Sequence, residues 1–232
     1  MNRYWKTGKK IVCIGRNYAE HAKELGNPLP KSPMFFLKPT TSYLHCPSAD
    51  DGAKKGQAGQ GAQQESVAYP AGGDLHYEVE LGVVVGKRMT SVAADKAMNH
   101  VAGYFTAVDL TLRDEQQRAK ERGLPWSACK GRDGFCPVGD FVPSSEVGNP
   151  ANLELWLTVN GETRQQGKCS DMVFDVPTLL AHVSQVMTLE PGDAVLTGTP
   201  AGVGPIRKGD VVRAGITSVP AAGLEFGLVE SA

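Results

Sequence analysis

Short apolar runs separated by turns make up most of the chain, and few stretches follow helical spacing. Ile11-Val12-Cys13-Ile14 reads as a strand closed by Gly15, and Met34-Phe35-Phe36-Leu37 as a second. Between them, Tyr18 to Leu25 predicts about two helical turns, stopped by Gly26 and Pro28. Strands resume over Tyr77 to Val85 and over Val101 to Val108. Thr111 to Arg122 predicts a helix closed by Gly123 and Pro125. Leu153 to Val159, the pair Asn160-Gly161, and Glu162 to Gly167 together spell a hairpin. Asp175 to Met187 is the clearest helix, opened by Asp175 and Pro177. Val195-Leu196, Val211 to Ile216 and Leu224 to Val229 complete the strands. Strands outnumber helices and no βαβ alternation is visible, which predicts a mostly antiparallel, folded-over sheet with peripheral helices.

One stretch stands outside this pattern. Ser48 to Ser66 is almost wholly Gly, Ala, Gln, Lys and Asp, has nothing to pack, and predicts a surface loop within a single domain spanning 1–232. Charge changes the picture little: 24 basic against 25 acidic residues give a net charge of −1, so neither nucleic acid nor another polyanion is indicated as a partner. No apolar stretch approaches the ~20 residues needed to span a bilayer. The N-terminus, Met1 to Lys10, is basic and lacks the apolar core of a secretion signal. An intracellular location is expected, in the cytoplasm or the mitochondrial matrix. Five scattered cysteines with no Cys-x-x-Cys pair argue against a disulfide framework and a zinc site.

Chemistry enters with Glu78 and Glu80, set in His76-Tyr77-Glu78-Val79-Glu80-Leu81-Gly82-Val83-Val84-Val85. On a strand, residues i and i+2 share a face. Two carboxylates on one half-buried face repel and lose hydration, a conflict that a hard cation held by oxygen ligands resolves. Asp109, just beyond the next apolar run, offers a third ligand. The competing reading is a polar edge of an antiparallel sheet.

Two further constellations flank this one. In Gly15-Arg16-Asn17-Tyr18-Ala19-Glu20-His21-Ala22-Lys23-Glu24, His21 and Glu24 stand three apart and share a helical face. A carboxylate on one imidazole nitrogen raises the basicity of the other, as a general base acting on water requires; the bland alternative is a solvated helix pair. The remaining histidines lack such a partner. After Asp109, Arg113 and Gln116 fall on one helical face, a pairing suited to gripping a carboxylate or to ordinary surface polarity. Lys130 sits in a turn bordered by Trp126 and Gly131. Gly192 to Gly204 is a glycine-rich turn without the ending of a phosphate loop, and it predicts Thr199 and backbone N–H groups presented to an anion.

In this order, Gly-Arg-Asn-Tyr with His-x-x-Glu, Phe-Leu-Lys-Pro, Glu-Val-Glu-Leu-Gly-Val-Val, Val-Asp-Leu-Thr-x-Arg-Asp, Leu-Pro-Trp with Lys, and Leu-Thr-Gly-Thr-Pro-x-Gly-Val-Gly resemble the fumarylacetoacetate hydrolase family. The likeness is to its small single-domain branch of acylpyruvases and oxaloacetate decarboxylases, and it covers nearly the whole chain. The resemblance implies an α+β, mostly β fold: a mixed β-sandwich roll with peripheral helices, forming a homodimer. It implies Mg²⁺ or Mn²⁺ held by Glu78, Glu80 and Asp109. His21 and Glu24 match the catalytic dyad and Lys130 the active-site lysine, while Arg16, Arg113, Gln116 and Thr199 are carried over as substrate-binding positions. Two departures stand out: the Ser48 to Ser66 segment is long for this branch, and Arg132 occupies a position where an apolar or aromatic residue is usual.

The expected chemistry follows from charge. The carboxylate and 2-oxo group of an acylpyruvate, or of oxaloacetate, can chelate a divalent cation that stabilises the enolate. With His21 activating water, an acylpyruvate splits into pyruvate and a carboxylic acid; without water, oxaloacetate loses CO₂. A keto–enol tautomerase or isomerase working through the same enolate is the alternative, and a non-catalytic metal-binding descendant of the fold is a third class.

Overall fold

The computed structural model describes residues 3–24, 26, 28–47, 65–70 and 72–230. Two sheets face each other across the main core. The larger runs Met34–Lys38, Ile11–Gly15, Ala194–Leu196, Val79–Val85, Val101–Val108, Cys136–Val138, Tyr43–His45, with Val142–Pro143 pairing to Val101–Val108. The smaller runs Glu162–Lys168, Glu154–Val159, Val211–Ile216, Val219–Glu230, Ser66–Tyr69. Most ladders are antiparallel; Ile11–Gly15 with Ala194–Leu196, Tyr43–His45 with Cys136–Val138, and Val219–Glu230 with Ser66–Tyr69 are parallel. A minor sheet of Gly204–Pro205, Leu75–Tyr77 and Thr111–Leu112 closes one corner. The mostly β roll expected from the sequence is what is seen.

Alternation explains the layering. In the smaller sheet Leu155, Leu157 and Val159 point inward while their neighbours are partly exposed, so one face is dry and one wet. In the larger sheet both faces are covered. Val79, Leu81, Val83 and Val85 enter the main core, whereas Val84 joins Ile11, Cys13, Phe105, Ala107 and Tyr4 on the opposite face. That opposite face is the one Glu80 shares, and Gly82 between them leaves room for the Phe105 ring, which a Cβ at position 82 would meet at 2.2 Å.

The hairpin turn has Asn160 and Gly161 at φ of 53° and 83°, the left-handed pair that a two-residue hairpin needs. Asp175 caps the Val176–Val186 helix by accepting from Thr178 N–H at 3.0 Å. No helix among the described residues is long and apolar enough to cross a membrane. All five cysteines are buried free thiols.

Several boundaries differ from expectation. Tyr77 to Val85 is not one strand: Leu75–Tyr77 and Val79–Val85 belong to different sheets and break at Glu78. The predicted Thr111 helix starts at Arg113, because Thr111–Leu112 pairs with Leu75 and His76. Ser66 opens a strand, paired with Gly227, rather than ending a loop. The rest of that predicted loop, 48–64, lies outside the described residues.

Candidate metal centre and active site

The break at Glu78 has a counterpart across the sheet. Val79 pairs with Val108, and Asp109 N–H donates to Glu78 O at 2.8 Å. The two chains therefore leave the large sheet together and enter the minor one together, and Glu78 and Asp109 face each other at that corner. Glu80, one pleat back and opposite Ala107, projects on the same side. One ligand oxygen from each of the three lies within 4.8 Å of the others, and all three residues are buried.

Three cations and a backbone amide hold these carboxylates. Lys130 Nζ donates to Glu78 Oε2 at 2.9 Å and to Asp109 Oδ2 at 2.6 Å. Arg113 Nη2 donates to Glu78 Oε1 at 2.6 Å, with Thr111 Oγ1 adding a bond at 3.2 Å. Gly198 N–H donates to Glu80 Oε2 at 2.6 Å. Lys38 Nζ stands 2.7 Å from Asp109 Oδ1, yet its three N–H groups are directed at the carbonyls of Leu110, Phe135 and Lys130. Asp109 Oδ1 is thus buried without a hydrogen-bond donor among the described residues. Three buried carboxylates whose oxygens converge in this way fit a hard divalent cation.

The electrostatics split the three acids. Burial raises the carboxyl of Glu80, and Asp109 and Glu78 push it further, well above the usual carboxylate range. Burial opposes the charge on Glu78 too, but Lys130, Arg113 and His21 together outweigh it and hold Glu78 below that range. Lys130 follows the same logic in reverse: burial works against its charge, while Asp109 and Glu78 prevail and raise its pKa.

A pocket opens in front of this cluster, lined by His21, Arg16, Gln116, Lys120, Thr199 and the aromatic pair Phe36 and Trp126, together with the charged groups above. Phe36 and Trp126 meet edge to face at 5.4 Å, and Lys130 Nζ lies 5.2 Å over the Phe36 ring. His21 is buried on the Ala19–Glu24 helix, and its Nδ1 lies 3.3 Å from Glu24 Oε2. Arg113 Nη1 donates to Gln116 Oε1 at 2.7 Å, so the predicted shared face is real, but both terminal nitrogens already serve protein partners. Arg132 is outside the pocket, paired at the surface with Glu115 at 2.7 Å.

The glycine-rich turn does bind anions, but they are the protein's own. Gly198 N–H holds Glu80, and Gly202 N–H donates to Glu24 at 3.1 and 3.3 Å. Glu24 is therefore clamped between His21 and the turn. Thr199 Oγ1 accepts from Gln165 Nε2 at 2.8 Å, which leaves its own O–H to point elsewhere.

Sequence reasoning assigned no part to four residues. Asn17, fully buried, donates to Phe174 O and Thr197 O and accepts from Phe174 N–H, tying the dyad segment to the glycine turn. Gln165 bonds Val79 N–H, Thr199 Oγ1 and Pro200 O, linking the strand between two candidate ligands to the pocket wall. Lys38 closes an apolar strand, a position where a lysine is itself a signal. Lys120 continues the Arg113–Gln116 helical face by one more turn, so spacing alone could have found it.

Residues 10–226 match the family model described as Fumarylacetoacetate (FAA) hydrolase C-terminal. The chain is 47% identical over 219 residues to a mitochondrial oxaloacetate decarboxylase of Dictyostelium discoideum, covering 94% of each. It is 45% identical over 219 residues to the mitochondrial oxaloacetate tautomerase FAHD1 of Bos taurus, covering 94% of this chain and 92% of the relative. The crystal structure of fumarylpyruvate hydrolase from Pseudomonas aeruginosa, in complex with Mn²⁺ and pyruvate, superposes with a TM-score of 0.86 at 33% identity, over 97% of this chain and 91% of that one.

Proposed function

The chain belongs to the fumarylacetoacetate hydrolase family, and from that premise we propose that it is a divalent-metal-dependent enzyme acting on oxaloacetate through the enolate at C2 and C3. The observation that carries this reading is the buried trio Glu78, Glu80 and Asp109, whose ligand oxygens converge within 4.8 Å. The charge count points the same way. Within the cluster, three carboxylates are balanced by Lys38, Arg113 and Lys130, so a bound Mg²⁺ or Mn²⁺ leaves the centre positively charged and suited to the anionic keto-acid end of a substrate. The mitochondrial names of the oxaloacetate-acting relatives make the matrix the location that belongs with this reading.

Glu78, Glu80 and Asp109 would hold the cation, which when bound supplies Lewis acidity to the carboxylate and 2-oxo oxygen of the substrate. Lys130 keeps one N–H beyond those given to Glu78 and Asp109, and directs it at the charge developing on the 2-oxo oxygen. Thr199 O–H, with its acceptor side taken by Gln165, serves as a second donor at the pocket wall. His21 Nδ1–H donates to Glu24, so Nε2 is the nitrogen free to take up and give back a proton. In enol-to-keto conversion the enol O–H gives its proton to solvent and His21 delivers one to C3; the reverse direction runs the same steps backwards. In decarboxylation the C3–C4 electron pair passes into the C2–C3 bond as CO₂ leaves, and His21 returns a proton to C3. The oriented dyad also favours a second reading, acylpyruvate cleavage, in which His21 takes the proton of a water attacking the distal carbonyl.

The test measures three outputs on one preparation: enol-to-keto conversion of oxaloacetate, pyruvate release from oxaloacetate, and cleavage of acetylpyruvate. Chelation should abolish all activity, and Mg²⁺ or Mn²⁺ should restore it; an undiminished rate after chelation overturns the metal reading. His21→Ala should lower the activity present by roughly 10²-fold, the scale of a lost general base or acid. A loss confined to acetylpyruvate cleavage would assign His21 to water activation and favour the second reading.

A further inference from the structure

The helix that delivers Arg113 and Gln116 to the pocket carries a third inward residue. Lys120 lies seven positions beyond Arg113, two turns along the same face, roughly 10 Å further down the helix axis. On the outward face of this helix Arg118 pairs with Asp114 at 2.9 Å and Gln117 Nε2 donates to Glu121 at 2.8 Å. Lys120 has no carboxylate partner among the described residues. Its ammonium stands 5.8 Å over the Trp126 ring, at the pocket wall. Arg16 lines the same pocket, also without a carboxylate partner among the described residues, and its backbone is held at φ 58°, a left-handed conformation that arginine adopts only under constraint. Burial, then Arg113 and Arg16, disfavour the charge on Lys120, against a smaller favourable pull from Glu78. Cations gathered in one pocket, half out of water and without an ion pair of their own, lower in energy when an anion enters between them.

We propose that Lys120 and Arg16 form a distal carboxylate subsite, so that the pocket selects keto acids bearing a second carboxylate over those ending in an uncharged acyl group. A four-carbon diacid held by its keto-acid end at Glu78, Glu80 and Asp109 extends its far carboxylate along the Arg113–Gln116–Lys120 face toward these two cations. The Lys120 ammonium stands over the Trp126 ring, and Phe36 and Trp126, in contact with each other, line the same pocket. This subsite rests on the keto-acid reading of the metal centre, since it is the bound end that sets where the far end reaches.

The test uses the full chain loaded with Mn²⁺ and two unreactive ligands, lactate and malate, which share a hydroxy-acid chelating end and differ in the second carboxylate. Calorimetry should show the parent binding malate about tenfold or more tightly than lactate, the scale of a gained charge-assisted contact. Lys120→Met keeps the stem over Trp126 and removes the charge; it should bring the two affinities within about twofold. Lys120→Arg should retain the preference. In turnover, Lys120→Met should raise the KM for oxaloacetate about tenfold. A malate preference that survives Lys120→Met, or a loss that strikes lactate equally, overturns the subsite. If the parent turns over no keto acid yet shows the Lys120-dependent malate preference, the proposed activity fails and the subsite stands. If it turns over oxaloacetate without that preference, the reverse holds.

Discussion

Burial, Asp109 and Glu78 all oppose a charge on Glu80, while a divalent cation binds the ionised carboxylate. Metal loading must therefore expel a proton from this site, and metal affinity should climb with pH, by up to about tenfold per unit, until Glu80 has titrated in the metal-free protein. Stability moves the other way. Between the ordinary carboxylate range and the raised value of Glu80, the folded metal-free protein holds a proton that the unfolded chain has released. Folding stability thus falls as pH rises through that window. Glu78 acts below it: held low, it contributes stability that is present above the ordinary range and lost as pH falls toward its depressed value. Thermal melts of metal-free parent and Glu80→Gln between about pH 5 and 8 check this, with the downward slope expected in the parent and removed in the variant. At this scale the sequence was legible where spacing encodes geometry. Glu78 with Glu80, His21 with Glu24 and Arg113 with Gln116 meet as their separations require. Gln165 was not legible: it lies in the polar run Glu162 to Lys168, and nothing in that run marks the one glutamine that turns inward to Val79 and Thr199.

Elements place these residues by ending. Glu78 and Asp109 are both corner residues, where a strand of the large sheet gives way to a strand of the minor one. The apolar run from Tyr77 to Val85 conceals the corner, because the break depends on which partners lie alongside, and those partners come from Val101 to Leu112 and from Gly204. The glycine turn shows the same limit. Its composition announced a turn that binds anions, but the identity of the anions, Glu80 and Glu24, depends on tertiary placement. Gly198 is the constrained point of that turn that holds Glu80: its φ is 95°, and a Cβ there would meet Asn17 Cβ at 2.9 Å. Gly198→Ala should displace the N–H that Glu80 accepts. The expected result is a stability loss of about 1–3 kcal/mol, from backbone strain and a weakened buried bond, with a lowered metal affinity. Urea unfolding and Mn²⁺ titration measure the two effects, and unchanged values for both would show that Gly198 is replaceable.

At the scale of the molecule, strand order departs furthest from sequence order, and here the amino-acid pattern says least. Ile11–Gly15, Met34–Lys38, Val79–Val85, Val101–Val108 and Ala194–Leu196 could be read from their own residues, but the short strands Tyr43–His45, Cys136–Val138 and Val142–Pro143 could not, nor could the place of Ala194–Leu196 between Ile11–Gly15 and Val79–Val85. Pairings between such distant segments make for slow folding, since loop closure precedes the contacts that reward it. The placement of Ala194–Leu196 also decides what a break in the chain would cost. His21 follows the strand on one side of it, while Glu80 lies in, and Glu78 and Asp109 at the ends of, the strands on the other, so the two halves of the site are joined by a segment that comes after all of them in the chain. The turn that continues it supplies the amides for Glu80 and Glu24. Without this segment the base and the acids lose their common ladder, and side-chain contacts such as Lys38 with Asp109 are left to bridge the two sides. A chain cut before Ala194 should therefore lose the ladder and both amides at once, and with them its reactivity toward keto acids.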